Sequence, residues 1–171
     1  MSDATRRILE DLKPEFEKRT APYSHRESAL LACLHAVQDA YGFVSDDAQA
    51  AVAEFLEVGR NRVHEAVTFY TLYRRKPYGK HHFALCRTLS CDLCGTPEVL
   101  AAIKKKCGGI PEKTVTPDGL FSYETVECLG CCDKAPAMQH NTDAFTGPMT
   151  AESVTQVMNE LEAKSKANGH G

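Results

Sequence analysis

Seven of the eight cysteines in this chain of 171 residues lie between residues 86 and 132. The cysteine fraction is below the roughly 8–10% of disulfide scaffolds, and a chain of this length buries enough apolar surface to fold without covalent cross-links. The opening Met-Ser-Asp-Ala-Thr has no apolar signal core, so we expect no export and a reducing, cytoplasmic compartment. Clustered thiols in such a compartment indicate metal binding or redox chemistry.

Charge and hydropathy exclude two classes of partner. Twenty Lys and Arg against 23 Asp and Glu give a net charge of −3, and neither side of Pro77 is basic enough to attract nucleic acid. No apolar run approaches the roughly 20 residues of a membrane span, so we expect no direct membrane insertion. The sequence has no Gly-x-Gly-x-x-Gly after a strand and no phosphate loop, so it offers no evident nicotinamide or flavin site.

Residues 1–77 have the apolar spacing of amphipathic helices. Four runs repeat apolar residues at helical intervals: Ile8, Leu9, Leu12 and Phe16; Leu30, Leu34, Val37 and Tyr41; Val52, Phe55 and Leu56; and Val63, Val67 and Tyr70. Asp46 or Asp47 is expected to cap the third helix. The short connections predict a small bundle or an arm, so residues 1–77 are predicted to be a helical partner-docking region.

The pattern changes after residues 74–80, which are basic and contain both Pro and Gly. We expect His81 and His82 beside this boundary to be solvated. Alternating apolar residues and turn signals then predict strands at residues 82–86, 111–116, 120–127 and 137–140. Helices are predicted between and after them, with Thr96 and Thr150 as their N-caps. This order predicts a small α/β domain over residues 80–164, with residues 165–171 as a flexible tail.

The cysteine spacing suits two kinds of iron–sulfur site. Cys86-x4-Cys91 with Cys128-x3-Cys132 supplies four thiolates from two loops, each of which directly follows a strand. Cys86, Cys91 and Cys94 with the distant Cys128 instead have the spacing of plant-type ferredoxins. Soft, anionic sulfur stabilises ferric iron in either arrangement.

The same cysteines admit two other functions. Cys91-x2-Cys94 with Cys128-x2-Cys131 is a possible zinc site, although the 33 intervening residues exceed the roughly 15–20 of a zinc ribbon. Cys91-Asp-Leu-Cys94 also has the C-x-x-C spacing of thiol oxidoreductases, in which one thiolate, here that of Cys91, attacks a disulfide. Spacing alone leaves these alternatives open.

Two segments carry a family resemblance: Cys86-Arg-Thr-Leu-Ser-Cys91-Asp-Leu-Cys-Gly95 and Glu127-Cys128-Leu-Gly-Cys-Cys132-Asp-Lys-Ala-Pro136. They resemble the thioredoxin-like [2Fe-2S] ferredoxin family, and within it the E-type subunits of bacterial NADH:quinone oxidoreductases (complex I). The resemblance extends over about residues 20–163. It implies an α/β (α+β) fold class, in which a thioredoxin-like domain follows an N-terminal helical region.

The resemblance also implies a ligand set, namely Cys86, Cys91, Cys128 and Cys132 for one [2Fe-2S] cluster. The thioredoxin fold further suggests a cis peptide bond between Ala135 and Pro136.

Other residues near these cysteines carry secondary expectations. Cys94 and Cys131 depart from the family pattern and are expected to be small buried apolar residues. Arg87, Thr88 and Ser90 are the first candidates for hydrogen bonds that tune the cluster.

The function implied by the resemblance is one-electron transfer. The cluster would exchange single electrons with the flavin of a partner, the F-type subunit, which would hold FMN and NAD, while this chain would have no catalytic site of its own. Other peripheral-arm subunits would be further partners, at a position peripheral to the inner membrane. The same domain also resembles subunits of NAD-dependent formate dehydrogenases and hydrogenases. A zinc-bound assembly module and a C-x-x-C thiol oxidoreductase are more remote alternatives.

Overall fold

A computed structural model describes residues 2–142 and 145–168 and divides the chain after Pro77 into two compact units. The first unit is helical and contains α1 (Asp3–Thr20), a 3-10 turn (Arg26–Ala29), α2 (Leu30–Tyr41), α3 (Asp46–Leu56) and α4 (Arg60–Phe69). Helix α1 packs on α2 and α3, and α3 packs on α4. The apolar faces of these helices therefore share one core, which includes Leu12, Phe16, Leu34, Val37, Val52, Phe55, Leu56, Val63 and Val67.

The start of α3 differs from the prediction by one residue. The Ser45 backbone is extended, and its hydroxyl accepts a hydrogen bond from the backbone N–H of Ala48 at 3.1 Å. Ser45 is therefore the N-cap, while Asp46 and Asp47 form the first turn, where their negative charges favour the positive end of the helix dipole.

The second unit is a layered α/β structure. Its elements are β1 (His81–Cys86), α5 (Leu89–Leu93), α6 (Thr96–Lys106), β2 (Phe121–Val126), a 3-10 turn (Cys132–Lys134), β3 (Met138–His140), β4 (Phe145–Thr146) and α7 (Ala151–Asn168). The strands form one sheet in the order β2-β1-β3-β4. Strand β1 pairs parallel with β2 and antiparallel with β3, and β3 pairs antiparallel with β4.

The core of the second unit lies between the sheet and two helices. Helix α6 packs on α7 and on β1. Apolar residues from all of these elements meet there, including Phe83, Leu85, Val99, Ile103, Tyr123, Met138, Val154 and Met158. Five of the six residues of β1 are buried. Because β1 has a partner strand on each side, the sheet holds its last residue, Cys86, in a fixed position.

Three predictions for this unit need correction or extension. Residues 111–116 make only an isolated bridge, Val115 with Ser122, rather than a strand. His82 is 2% exposed rather than solvated, since its ring nitrogens lie 2.9 Å from the Ser122 hydroxyl and 3.0 Å from a Glu124 carboxylate oxygen on β2. Helix α7 continues through Asn168, into the predicted tail, and residues 169–171 of that tail lie outside the described residues.

The Ala135–Pro136 peptide bond is cis, as predicted. Across the described part of the chain, every helix falls short of the combined length and apolar character needed to cross a bilayer.

Candidate functional site

The first cysteine loop begins where β1 ends. Cys86 is the last residue of β1, and its backbone N–H donates to the Ala137 carbonyl at 3.0 Å, so the strand is still paired at this position. Two residues later the chain forms the short helix α5, of which Cys91 is the one buried residue. Cys86 and Cys91 are each 1% exposed, and they share a small cluster with Ala137.

The second cysteine loop begins where β2 ends. Because β1 and β2 are parallel, their carboxyl ends meet at one edge of the sheet, and the two loops leave it side by side. The second loop turns at Gly130, whose φ is +75°, and its backbone N–H donates to the Cys128 sulfur at 3.4 Å. The following 3-10 turn then carries Cys132 back, so that the Cys128 and Cys132 sulfurs lie 3.7 Å apart.

All four cysteines of the predicted ligand set converge at this edge. Cys86 and Cys91 interact through their side chains, and both lie close enough to Cys132 for electrostatic interaction. The backbone N–H of Ala137, directly after the cis proline, donates to the Cys91 sulfur at 3.4 Å. The arrangement consists of a buried pair, Cys86 and Cys91, beside an exposed pair, Cys128 and Cys132.

Burial and hydrogen bonds act differently on the ionisation of these thiols. Burial opposes ionisation of Cys86, but hydrogen bonds with Thr88, Cys91 and Leu129 together outweigh it and lower the pKa of this thiol. Burial raises the pKa of Cys91, and the adjacent Cys128 raises the pKa of Cys132. The Cys86 thiol therefore ionises more readily than an ordinary thiol.

The two additional cysteines have different surroundings. Cys94 is predicted to be buried, but it is exposed at the C-terminal end of α5. Cys131 is half-buried against the cluster formed by Cys86, Cys91 and Ala137. Cys91, the attacking thiol of the thiol-oxidoreductase alternative, is too buried to reach a disulfide in another molecule.

The structure separates the three residues expected to tune the site. The Thr88 hydroxyl lies 3.1 Å from the Cys86 sulfur, and the Ser90 side chain interacts with Cys132. Arg87 points elsewhere, and its Nε donates to the Glu127 carboxylate at 3.2 Å.

Sequence reasoning missed the role of Thr96. This residue is predicted as the N-cap of α6, but Gly95 occupies that position and Thr96 is the first residue of the helix. The Thr96 hydroxyl donates to the Cys86 carbonyl at 2.9 Å, tying α6 to the end of β1. Only the pairing of distant segments reveals this contact.

Within residues 2–142 and 145–168, no three His, Cys, Asp or Glu side chains converge as ligands of a single metal ion. The thiols are grouped instead in the two pairs described above.

The chain is similar to known proteins over most of its length. The family described as thioredoxin-like [2Fe-2S] ferredoxin matches residues 16–162. An E-type subunit of NADH-quinone oxidoreductase from Rhizobium meliloti (strain 1021) is 36% identical over 155 residues, which cover 91% of each chain. The E-type subunit of NADH-quinone oxidoreductase from Aquifex aeolicus (strain VF5) is 33% identical over 136 residues, which cover 80% of this chain and 84% of that protein.

A solved structure has a similar fold. An NAD+-reducing [NiFe]-hydrogenase in the air-oxidised state superposes with a TM-score of 0.68 at 17% sequence identity. The match covers 79% of this chain but only 23% of the hydrogenase chain. The likeness therefore concerns the fold of one part of a larger protein.

Proposed function

The chain belongs to the thioredoxin-like [2Fe-2S] ferredoxin family, as its cysteine loops predicted, and from this membership we propose that it is the E-type electron-transfer subunit of an NADH:quinone oxidoreductase. The observation that carries the proposal is the convergence of two cysteine pairs from two loops at one edge of the sheet. Relatives named as E-type subunits match nearly the whole chain.

The donor set fits a cluster with two irons. A tetrahedral metal with metal–sulfur bonds of about 2.3 Å holds two thiolates about 3.8 Å apart. The Cys128 and Cys132 sulfurs are 3.7 Å apart, so this pair suits one iron with little movement. We assign Cys86 and Cys91 to the other iron, since they share the first loop.

The protein's contribution is to hold and shield the cluster. A bound [2Fe-2S] cluster accepts and releases one electron at a time. Cys86 and Cys91 would hold its inner side away from water, while backbone N–H groups of Gly130 and Ala137 donate to the ligand sulfurs. In this proposal the chain has no catalytic residue, because its side chains bind and tune but do not react.

The proposal requires a partner that binds NADH. NADH gives up two electrons as a hydride, whereas an iron–sulfur cluster takes one, so a flavin must lie between them. This chain lacks the glycine-rich motifs of nucleotide sites. We therefore assign FMN and NAD to the F-type subunit of the same complex, with other peripheral-arm subunits as neighbours, and residues 1–77 as the docking region. The complex would place this chain in the cytoplasm, peripheral to the inner membrane.

One alternative host has support from a specific observation. The fold similarity to an NAD+-reducing [NiFe]-hydrogenase is compatible with membership of that kind of complex. The proteins that co-purify with the chain from its source cell distinguish the two hosts.

The direct test of the proposal is metal and sulfide analysis after anaerobic purification. We expect a brown protein with about two irons and about two acid-labile sulfides per chain. A colourless protein that contains zinc would support the assembly-module alternative. A colourless, metal-free protein that reduces disulfides would support the thiol oxidoreductase.

A further inference from the structure

Several hydrogen-bond donors surround the Cys86 sulfur. It interacts with the hydroxyl and the backbone N–H of Thr88 and with the backbone N–H of Leu129. Donors also approach the other ligand sulfurs: Ala137 N–H at Cys91, Gly130 N–H at Cys128 and the Ser90 side chain at Cys132. Because Cys86 is 1% exposed, water does little to weaken the hydrogen bonds at its sulfur, and they can affect the electronic properties of the site.

The chemistry of ligation determines the direction of the Thr88 hydrogen bond. A thiolate that binds iron carries no hydrogen, so the Cys86 sulfur can only accept. The Thr88 hydroxyl, 3.1 Å away, must then donate. A donor at a ligand sulfur stabilises negative charge there, and reduction adds one negative charge to the cluster.

Burial separates Thr88 from Ser90, the other hydroxyl in this loop. Thr88 is half-buried, and Cys86 is 1% exposed, so water has little access to the Cys86 sulfur. Ser90 and Cys132 are both exposed, so water can replace the Ser90 hydroxyl. Water can therefore replace the Ser90 hydroxyl as a hydrogen-bond donor, but it cannot easily replace the Thr88 hydroxyl.

We propose that Thr88 is a positioning residue that acts through Cys86, and that its hydroxyl raises the reduction potential of the cluster and favours electron uptake. The inference rests on the proposed function, since it requires a [2Fe-2S] cluster on these cysteines.

The test measures the midpoint potential of the full, cluster-loaded chain by redox titration followed by EPR. Thr88→Val keeps the side-chain shape but replaces the hydroxyl donor with a methyl group. Thr88→Ala also removes the donor and adds no methyl group in its place. We expect both to lower the equilibrium constant for reduction by about threefold to tenfold, where tenfold corresponds to about 59 mV for one electron. Thr88→Ser keeps the donor and should remain close to the wild-type value, and Ser90→Ala should change little.

Iron and sulfide content, measured first, separates this inference from the proposed function. If the wild-type chain binds no cluster, the proposed function fails. If Thr88→Val and Thr88→Ala are fully loaded and titrate like the wild type, the role of Thr88 is overturned. It is also overturned if both lose the cluster while Thr88→Ser keeps it, because the hydroxyl would then serve binding, or if Ser90→Ala shifts the potential equally.

Discussion

Cys86 and Cys128 follow neighbouring parallel strands, yet their surroundings differ. Cys86 is 1% exposed beneath α6 and the second loop, whereas Cys128 is exposed at the turn around Gly130. The half-buried Cys131 packs against Cys86 and Cys91 and directly precedes Cys132 in the chain. Replacement of Cys128, a proposed ligand that is exposed, should therefore disturb cluster binding without creating a cavity in the core, but the thiol of Cys131 is available as a substitute.

We expect Cys128→Ser to lose most of its iron, because a serine hydroxyl ionises far less readily than a thiol and is a poor ligand for iron. Residual iron should disappear in the double variant Cys128→Ser, Cys131→Ser, in which the second loop has no thiol left to substitute for Cys128. The matched control is Cys94→Ser, which changes an exposed cysteine of the first loop and should retain full iron. Iron per chain and the visible spectrum provide the measurement; full iron in the double variant would exclude Cys128 as a ligand.

His81 gives the second unit a pH dependence. Burial, followed by the adjacent His140 and Lys80, lowers the pKa of His81 below its ordinary value of 6.5. Its Nδ1 lies 3.0 Å from Nε2 of His140. As pH falls through about 6.5, the unfolded chain takes up a proton at this residue more readily than the folded chain, so the free energy of unfolding decreases.

The change that tests this effect is His81→Gln, which removes the titrating group. Between about pH 7.5 and about pH 5.5 we expect the urea midpoint of the wild type to fall more than that of the variant. The comparison uses the difference between the two proteins, so that pH effects common to both cancel. An identical pH dependence in wild type and variant would contradict the assignment.

At the scale of the secondary-structure elements, the residue after the edge strand β4 packs closely against the end of the second cysteine loop. A Cβ on Gly147, directly after β4, would collide with the carbonyl oxygens of Lys134 and Pro136. Lys134 is the last residue of the 3-10 turn that begins at Cys132, and Pro136 lies between that turn and β3. Because residue 147 is a glycine, the segment that contains Lys134 and Pro136 can pack closely against it. We infer that this packing helps to hold Cys132 in its position in the second loop.

Gly147→Ala should consequently weaken both folding and cluster retention. Overpacking of this kind costs about 1–3 kcal/mol of unfolding free energy, and the displaced loop should release iron faster to a chelator. Gly59→Ala is the matched control, because a Cβ there meets no atom within 4 Å and φ is −65°. Its effect should stay within about 0.5 kcal/mol. Equal iron-release rates in the two variants would contradict the proposed link between Gly147 and the loop.

The function of the whole molecule depends on a second chain. The residues at the cysteine edge are suited to hold a one-electron centre, and the sequence contains no motif for a nucleotide. NADH added to the isolated, cluster-loaded chain should therefore leave its visible absorption unchanged. Addition of the flavin-bearing partner should allow NADH to reduce the cluster, detected as bleaching and as an EPR signal. Rapid bleaching by NADH alone would show that this chain binds the nucleotide itself.

Sequence patterns predicted the parts of the molecule that depend on neighbouring residues. Apolar residues at helical spacing correctly placed the helices of the first unit, and the two cysteine loops correctly identified the family. The predicted strand at residues 111–116 failed because the backbone is not extended at Lys113, whose φ is +60°. The segment still makes backbone hydrogen bonds to β2, but its ladder pairing is limited to the bridge of Val115 with Ser122.

The sequence by itself determines helix faces, turns and cysteine spacing, because these features arise between residues a few positions apart. Burial and orientation arise between distant residues and required the folded chain. The His82 ring can be buried because partners some forty positions away satisfy both of its nitrogens: Glu124 accepts from Nε2, and the Ser122 hydroxyl bonds to Nδ1. Contacts between distant residues also place the Thr88 hydroxyl beside the buried Cys86 sulfur and leave Cys94 exposed to solvent. The parallel pairing of β1 with β2 decides which side of each cysteine loop faces the core.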